Sequence, residues 1–151
     1  MEQNIAMLNQ YTDQTTKQML QNLVSRKKKF ERYKKRHLLL LWTSVFYSFA
    51  CLYLLYHTVL EPYSYSFGEI FMVFAGQFKH ALFLLSAAGL WGATKILYDK
   101  KQKTESEYHA LRCEIIDKSK DLWKNEAWKE RHLVFEMMKK KYDINLFHQS
   151  K

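Results

Sequence analysis

From Leu38 to Leu60 the chain runs for 23 residues without an Asp, Glu, Lys or Arg. At about 1.5 Å of helix rise per residue, such a run crosses the roughly 30 Å hydrocarbon layer of a bilayer. The eleven residues just before it, Arg26 to Arg36, hold eight basic side chains and one acidic one, and a basic flank of that kind sets orientation. Together these features point to a helix across a membrane with its basic end on the cytoplasmic side. They carry location and topology but no reaction.

Average composition hides this. At 151 residues, 48% hydrophobic and 26% charged, the chain has the averages of one ordinary soluble domain, because two polar ends dilute an apolar middle. By segment, the formal charge is −1 over residues 1–25, +7 over 26–36, zero over 37–60, −1 over 61–94 and +4 over 95–151, which recovers the total of +9. One Pro and four Gly leave little turn chemistry outside Glu61 to Gly68, so the expected fold class is all-α. The start does not read as a secretory signal: the first 25 residues are polar, and no small-residue cleavage site follows the apolar run. Cys51 falls in that run and Cys113 in the polar tail, so no disulfide is expected between them.

A second span follows a short loop. Ser66 and Glu69 have capping-box spacing, which predicts a helix from Phe67, and Phe67, Phe71, Phe74 and Phe78 share one face of it. The apolar sequence continues through Thr94 to Tyr98, broken only at Gln77, Lys79 and His80. In a tight antiparallel hairpin Lys79 lies level with Ser48, and a stripe of Ser44, Tyr47, Ser48 and Cys51 on the first helix would meet the Gln77, Lys79 and His80 cluster. An ionisable group inside a bilayer costs about 2.5–3.5 kcal/mol and is a functional candidate by default. The competing reading is that Lys79 only snorkels to the outer headgroups, with Phe67 to Phe78 partly interfacial.

Beyond Lys79, Ala88 with Gly92 and Gly89 with Ala93 stand four residues apart, a spacing that lets helix backbones approach in lipid, against the first span or a second copy. Trp42 and Trp91 sit near the inner ends of their spans. Basic residues flank the hairpin on both outer sides, with Lys95, Lys100, Lys101 and Lys103 after it, while the loop region carries Glu61 and Glu69. Both termini are therefore expected in the cytoplasm.

The arms are helical in pattern. Ile5, Leu8, Met19, Leu23 and Phe30 recur at helical intervals and lead into the first span. Arg26, Lys27, Lys28, Lys29, Arg32, Lys34, Lys35 and Arg36 then form a surface for anionic headgroups at about 1 kcal/mol per basic residue; lipid and topology account for this cluster without nucleic acid. In the C-terminal arm Tyr108, Leu111, Ile115 and Leu122, then Trp123, Ala127, Phe135, Met138 and Tyr142, draw an apolar stripe through a heavily charged helix. Such a stripe packs on the N-terminal arm, on another subunit or on the membrane surface. Trp123, Trp128, Phe135 and Tyr142 are the candidate anchors for self-association or a protein partner, because aromatic side chains dominate interface energies.

Chemistry is hard to find. His109, Cys113 and Asp117, and likewise His132 and Glu136, are spaced one helical turn apart, but neither set supplies the three or four converging ligands of a zinc site. No glycine-rich phosphate loop, nucleophile elbow or intramembrane carboxylate pair is present. No metal, cofactor or catalytic residue is assigned, and an enzyme is not expected.

The layout of basic cluster and hairpin, with the Trp123 to Met138 stretch and the closing run Lys140 to Lys151 (KKYDINLFHQSK), resembles the YpbF family of uncharacterised small two-span membrane proteins from Bacillus-type bacteria. The resemblance covers the whole chain and implies a bacterial plasma-membrane location, with no activity or site attached. The expected architecture is a cytosolic helical arm over 1–36, transmembrane helix 1 over 37–60, an extracytoplasmic loop over 61–66, a long helix containing transmembrane helix 2 over 67–98, and a cytosolic amphipathic arm over 99–151. The expected role is that of a non-enzymatic membrane-anchored interaction or scaffold protein. The alternative is an oligomeric pore or accessory transport subunit built on Gln77, Lys79 and His80.

Overall fold

The structure, a computed structural model, describes residues 5, 8, 12–124 and 127–148, so the last three residues of the closing run lie outside it. Helix α1, Gln14–Leu55, starts after Asp13, whose carboxylate accepts the Gln14 N–H at 2.7 Å. It passes through the polybasic stretch into the apolar run without a break, as the pattern of the N-terminal arm leads one to expect. Its last turn, Tyr56–Leu60, is π-helical. Then come α2 at Phe67–Gly76, α3 at Phe78–Asp117, a single turn α4 at Ser119–Leu122, and α5 at Ala127–Tyr142. The described residues hold no strand. The chain divides into two units, one of residues 1–32 with 101–151 and one of residues 33–100.

The first unit is built on the stripe. Ile5, Leu20, Leu23 and Val24 from the N-terminal arm and Tyr108, Ile115, Trp123, Ala127, Val134, Phe135, Met138, Ile144 and Leu146 from the C-terminal arm form one buried cluster. The two arms are each other's partner, the first of the three destinations open to the stripe. Trp123 is 1% exposed and meets Phe135 edge-on at 5.5 Å. Each such side chain contributes about 1.5–3 kcal/mol by leaving water. The stripe does not follow one helix, since the chain turns after Asp117 and again before Ala127, which lets Trp123 fold in between α3 and α5.

The end of α5 is closed by Asp143, a non-glycine residue at φ 53°, in the left-handed region that Asp and Asn tolerate better than most. There the Asp143 N–H reaches the Lys139 carbonyl and the Ile144 N–H the Met138 carbonyl. Ile144 and Leu146 are thereby turned back into the core, while Arg112 donates from Nε to the Asn145 carbonyl at 2.7 Å and from Nη2 to the His148 carbonyl.

The second unit has the opposite polarity. Leu39, Phe46, Phe49, Leu52, Leu82 and Leu85 face outward, Phe46 at 67% exposure, while Ser44 is 1% and Thr94 5% exposed. Helices Gln14–Leu60 and Phe78–Asp117 are each long and apolar enough to cross a membrane, and only 11% and 6% of their most apolar stretches is buried.

Two expectations about the return segment fail. The stretch over 67–98 is not one helix: Gln77 is extended at φ −106° and ψ 110°, α2 stops before it, and α3 runs on past Tyr98 to Asp117. Nor does the capping box form. Ser66 sits at the N-cap without a side-chain bond, and Glu69 accepts instead from the Tyr65 hydroxyl at 2.8 Å, in the turn preceding the helix.

Truncating Trp123 to Ala should lower unfolding stability by about 3–5 kcal/mol, against less than about 1 kcal/mol for Trp128→Ala, which is 39% exposed. Thermal unfolding of the detergent-solubilised chain, followed by circular dichroism, reads both.

Candidate functional site

Of the stripe expected from Ser44, Tyr47, Ser48 and Cys51, the first three make side-chain hydrogen bonds to the return helix, but with other partners than expected. The Ser44 and Thr94 hydroxyls lie 3.0 Å apart, Tyr47 Oη lies 2.5 Å from Ser86 Oγ, and Trp91 Nε1 donates to Ser48 Oγ at 3.1 Å. Ser48 was expected level with Lys79; its actual neighbour is twelve positions, roughly three turns, further along. The register shifts because Gln77 breaks the return segment, so the helix that packs on α1 begins at Phe78 and not at Phe67. Hydroxyl bonds of this kind contribute about 0.6 kcal/mol each between helices in lipid.

Gln77, Lys79 and His80 are consequently not brought to that seam. Gln77 and Lys79 are exposed at the start of α3, and only His80 turns inward, its ring stacked on Phe74 at 5.6 Å and 9°. Neither ring nitrogen has a hydrogen-bond partner among the described residues. Gly89 and Gly92 are not in the hairpin packing either, since a Cβ on each would meet nothing within 4 Å.

The anchors proposed for a partner are likewise redistributed. Trp123 and Phe135 are core residues, Tyr142 is half-buried, and Trp128 alone of the four is exposed, with the Arg131 guanidinium 3.8 Å over its ring. Among the described residues no group of three or more His, Cys, Asp and Glu side chains could hold a metal; both cysteines are free.

The polybasic stretch is where structure adds most. Lys28, Lys29, Arg32, Lys34, Lys35 and Arg36 are exposed, as a surface for anionic headgroups requires, and Arg26, also exposed, donates to the Glu107 carbonyl at 3.1 Å. Lys27 departs from that pattern: only 8% exposed, its ammonium donates to Asp143 Oδ2 at 2.9 Å and to the Asp143 carbonyl, with Glu31 at 3.8 Å. Beside this pair opens a cleft of about 260 Å³ lined by Val24, Lys27, Lys28, Glu31, Lys140, Lys141, Tyr142, Asp143 and Ile144. Basic side chains from segments more than a hundred residues apart thus converge on one concavity. The sequence shows Lys139 to Lys141 as a basic last turn favoured by the helix dipole, and that was the only available signal; the pairing of Asp143 with Lys27 has none.

The hydrogen bond and charge of Lys27 hold the Asp143 carboxyl below its ordinary value. A depressed carboxylate pKa stabilises the fold above the unfolded value of about 4, and that stabilisation disappears as pH falls through the folded value. Because the Asp143 side chain is 97% exposed, the solvent-screened contribution stays under about 1 kcal/mol. Asp143→Ala loses the ion pair and adds left-handed strain, whereas Asp143→Gly loses the ion pair but relieves the strain that an Asp carries at φ 53°. The alanine variant should therefore be less stable than the glycine variant by about 1 kcal/mol, and the stability of wild type relative to glycine should decrease below about pH 4. Denaturant titrations at two pH values read both effects.

A family model described as a protein of unknown function, DUF2663, matches residues 19–149. The uncharacterized protein YpbF of Bacillus subtilis (strain 168) is 40% identical over 149 residues, covering 95% of this chain and 95% of its own. No solved structure matches. The chain belongs to the DUF2663 family, in agreement with the resemblance read from its layout.

Proposed function

We propose that this member of the DUF2663 family is a non-enzymatic, membrane-anchored interaction protein of the bacterial plasma membrane, with both termini cytoplasmic. The observation that carries the reading is the inverted polarity of residues 33–100. Helices whose phenylalanines and leucines face outward, while Ser44 and Thr94 pair inside, are unstable in water and suited to hydrocarbon. A core helix of a water-soluble protein would bury its apolar face instead. The ten-residue apolar helix α2 is too short to span and suits the outer interface, and on this reading Gln77 and Lys79 would lie at headgroup depth.

On this reading the spans fix position, and the folded arms form a basic module against the anionic inner leaflet. The basic residues of 26–36 and 95–103 supply the orientation. Partner contact, whether with a second copy or another protein, falls to exposed groups such as Trp128, Leu133 and Phe147, because Trp123 and Phe135 are consumed within the chain. No observation favours the pore reading, since Lys79 and the Ser44 seam do not meet.

The native chain should pellet with membranes, resist alkaline carbonate and dissolve only in detergent. Reporter fusions at Met1 and Lys151 should both be active on the cytoplasmic side. Recovery in the supernatant would sink the membrane reading, and reporters on opposite sides would sink the topology. Crosslinking in native membranes tests the interaction role, which fails if no specific adduct forms with another protein or a second copy.

A further inference from the structure

We propose that the hollow between α4 and α5, lined by Lys120, Trp123, Lys124 and Trp128, docks an acidic segment of a protein partner that carries an aromatic side chain. The side chains of Lys120 and Lys124 are exposed and have neither an ion pair nor a hydrogen bond among the described residues, and no described carboxylate lines the hollow. Arg131, the third cation here, lies 3.8 Å over the Trp128 ring and donates to Ser119 Oγ at 3.4 Å, so its charge is placed without being neutralised. Trp123 adds a buried donor: the residue is 1% exposed, and its Nε1 has no acceptor among the described residues. An orphaned buried donor is costly, and a carboxylate oxygen brought in from outside would satisfy this one. Three unneutralised cations and an orphaned N–H thus surround an indole, Trp128, that stays 39% exposed.

Shape and position select the occupant. The hollow measures about 450 Å³, but it is open and shallow, whereas a small-molecule site encloses most of its ligand. A basic rim around an exposed tryptophan suits a protein contact, in which aromatic and cationic side chains carry most of the energy. The hollow also lies at the free end of its unit. Asp117, where α3 ends, stands about 24 Å of helix beyond Lys101, and Thr16, near the start of α1, donates to the Leu122 carbonyl at 3.5 Å. Residues 32 and 101, through which the chain leaves the unit, are at its other end. On the membrane reading that free end is open to a soluble partner. A second copy of this chain, at net charge +9, is a poor electrostatic match, and an acidic segment is a good one. Asp121 and Glu130 are the described carboxylates nearest in sequence, and neither lines the hollow. This docking site rests on the interaction reading above and gives its partner a chemistry.

The test uses the full chain in a neutral detergent and a fluorescein-labelled peptide with one phenylalanine between two pairs of glutamates, followed by fluorescence anisotropy. Binding should weaken about tenfold or more when glutamine replaces every glutamate of the peptide, and again when alanine replaces its phenylalanine. On the protein side, W128A should bind about thirtyfold more weakly and K120Q/K124Q about tenfold more weakly. K103Q/K139Q, which removes the same charge elsewhere in the unit, should bind as wild type does. If W128A lowers the unfolding midpoint, K120Q/K124Q alone decides. No binding of the glutamate peptide, or the same loss in K103Q/K139Q as in K120Q/K124Q, overturns the docking site. Peptide binding without any crosslink in native membranes would leave the site standing and sink the interaction role, whereas crosslinks without peptide binding would sink the site alone.

Discussion

Apolar side chains gain by leaving water, and this chain disposes of them in two opposite ways. In the arms they leave by packing on each other, in a cluster where Trp123 is the largest fully buried side chain and meets Phe135 edge-on. In residues 33–100 they face outward, and the few hydroxyl groups face in. Each arrangement suits a different solvent, and the single helix α1 changes the character of its surface along its length. The basic residues between its two apolar patterns are where that change occurs.

The packed arms also redefine which charges are available. Lys27 belongs by sequence to a run of eight equivalent cations, yet it alone of the eight is withdrawn from solvent, holding Asp143 and with it the turn that returns Ile144 and Leu146 to the core. Arg112 performs a parallel task on the carbonyls of Asn145 and His148. Two buried cations therefore hold the segment after α5 mainly through main-chain oxygens, a mode of attachment that depends little on the side chains of that segment.

Much of this was legible in the residues. Periodicity marked the helices, and the 3, 4, 7 spacing from Tyr108 marked the face that became the core, because burial repeats with the helix. Register was not legible. The paired seam followed from where α3 begins, and the extended Gln77 directly after Gly76 sets that point. The Ser66–Glu69 signature marked the helix start at Phe67 correctly but not its bonds, because Tyr65 offers Glu69 a donor from the preceding turn. The candidate anchors Trp123 and Phe135 looked available because a single apolar stripe does not say what covers it, and the cleft lysines could not be grouped without knowing that the arms meet.

The separation between Lys27 and Asp143 has a consequence for synthesis. At about 5–20 residues per second, the 116 positions between them take on the order of ten seconds to emerge from the ribosome. Leu20, Leu23 and Val24 are thus made early and completed last, so the N-terminal arm must wait as an incomplete half-core. During that interval its apolar face is open to chaperones and to aggregation, and the nascent protein is most vulnerable before its final helix has been translated.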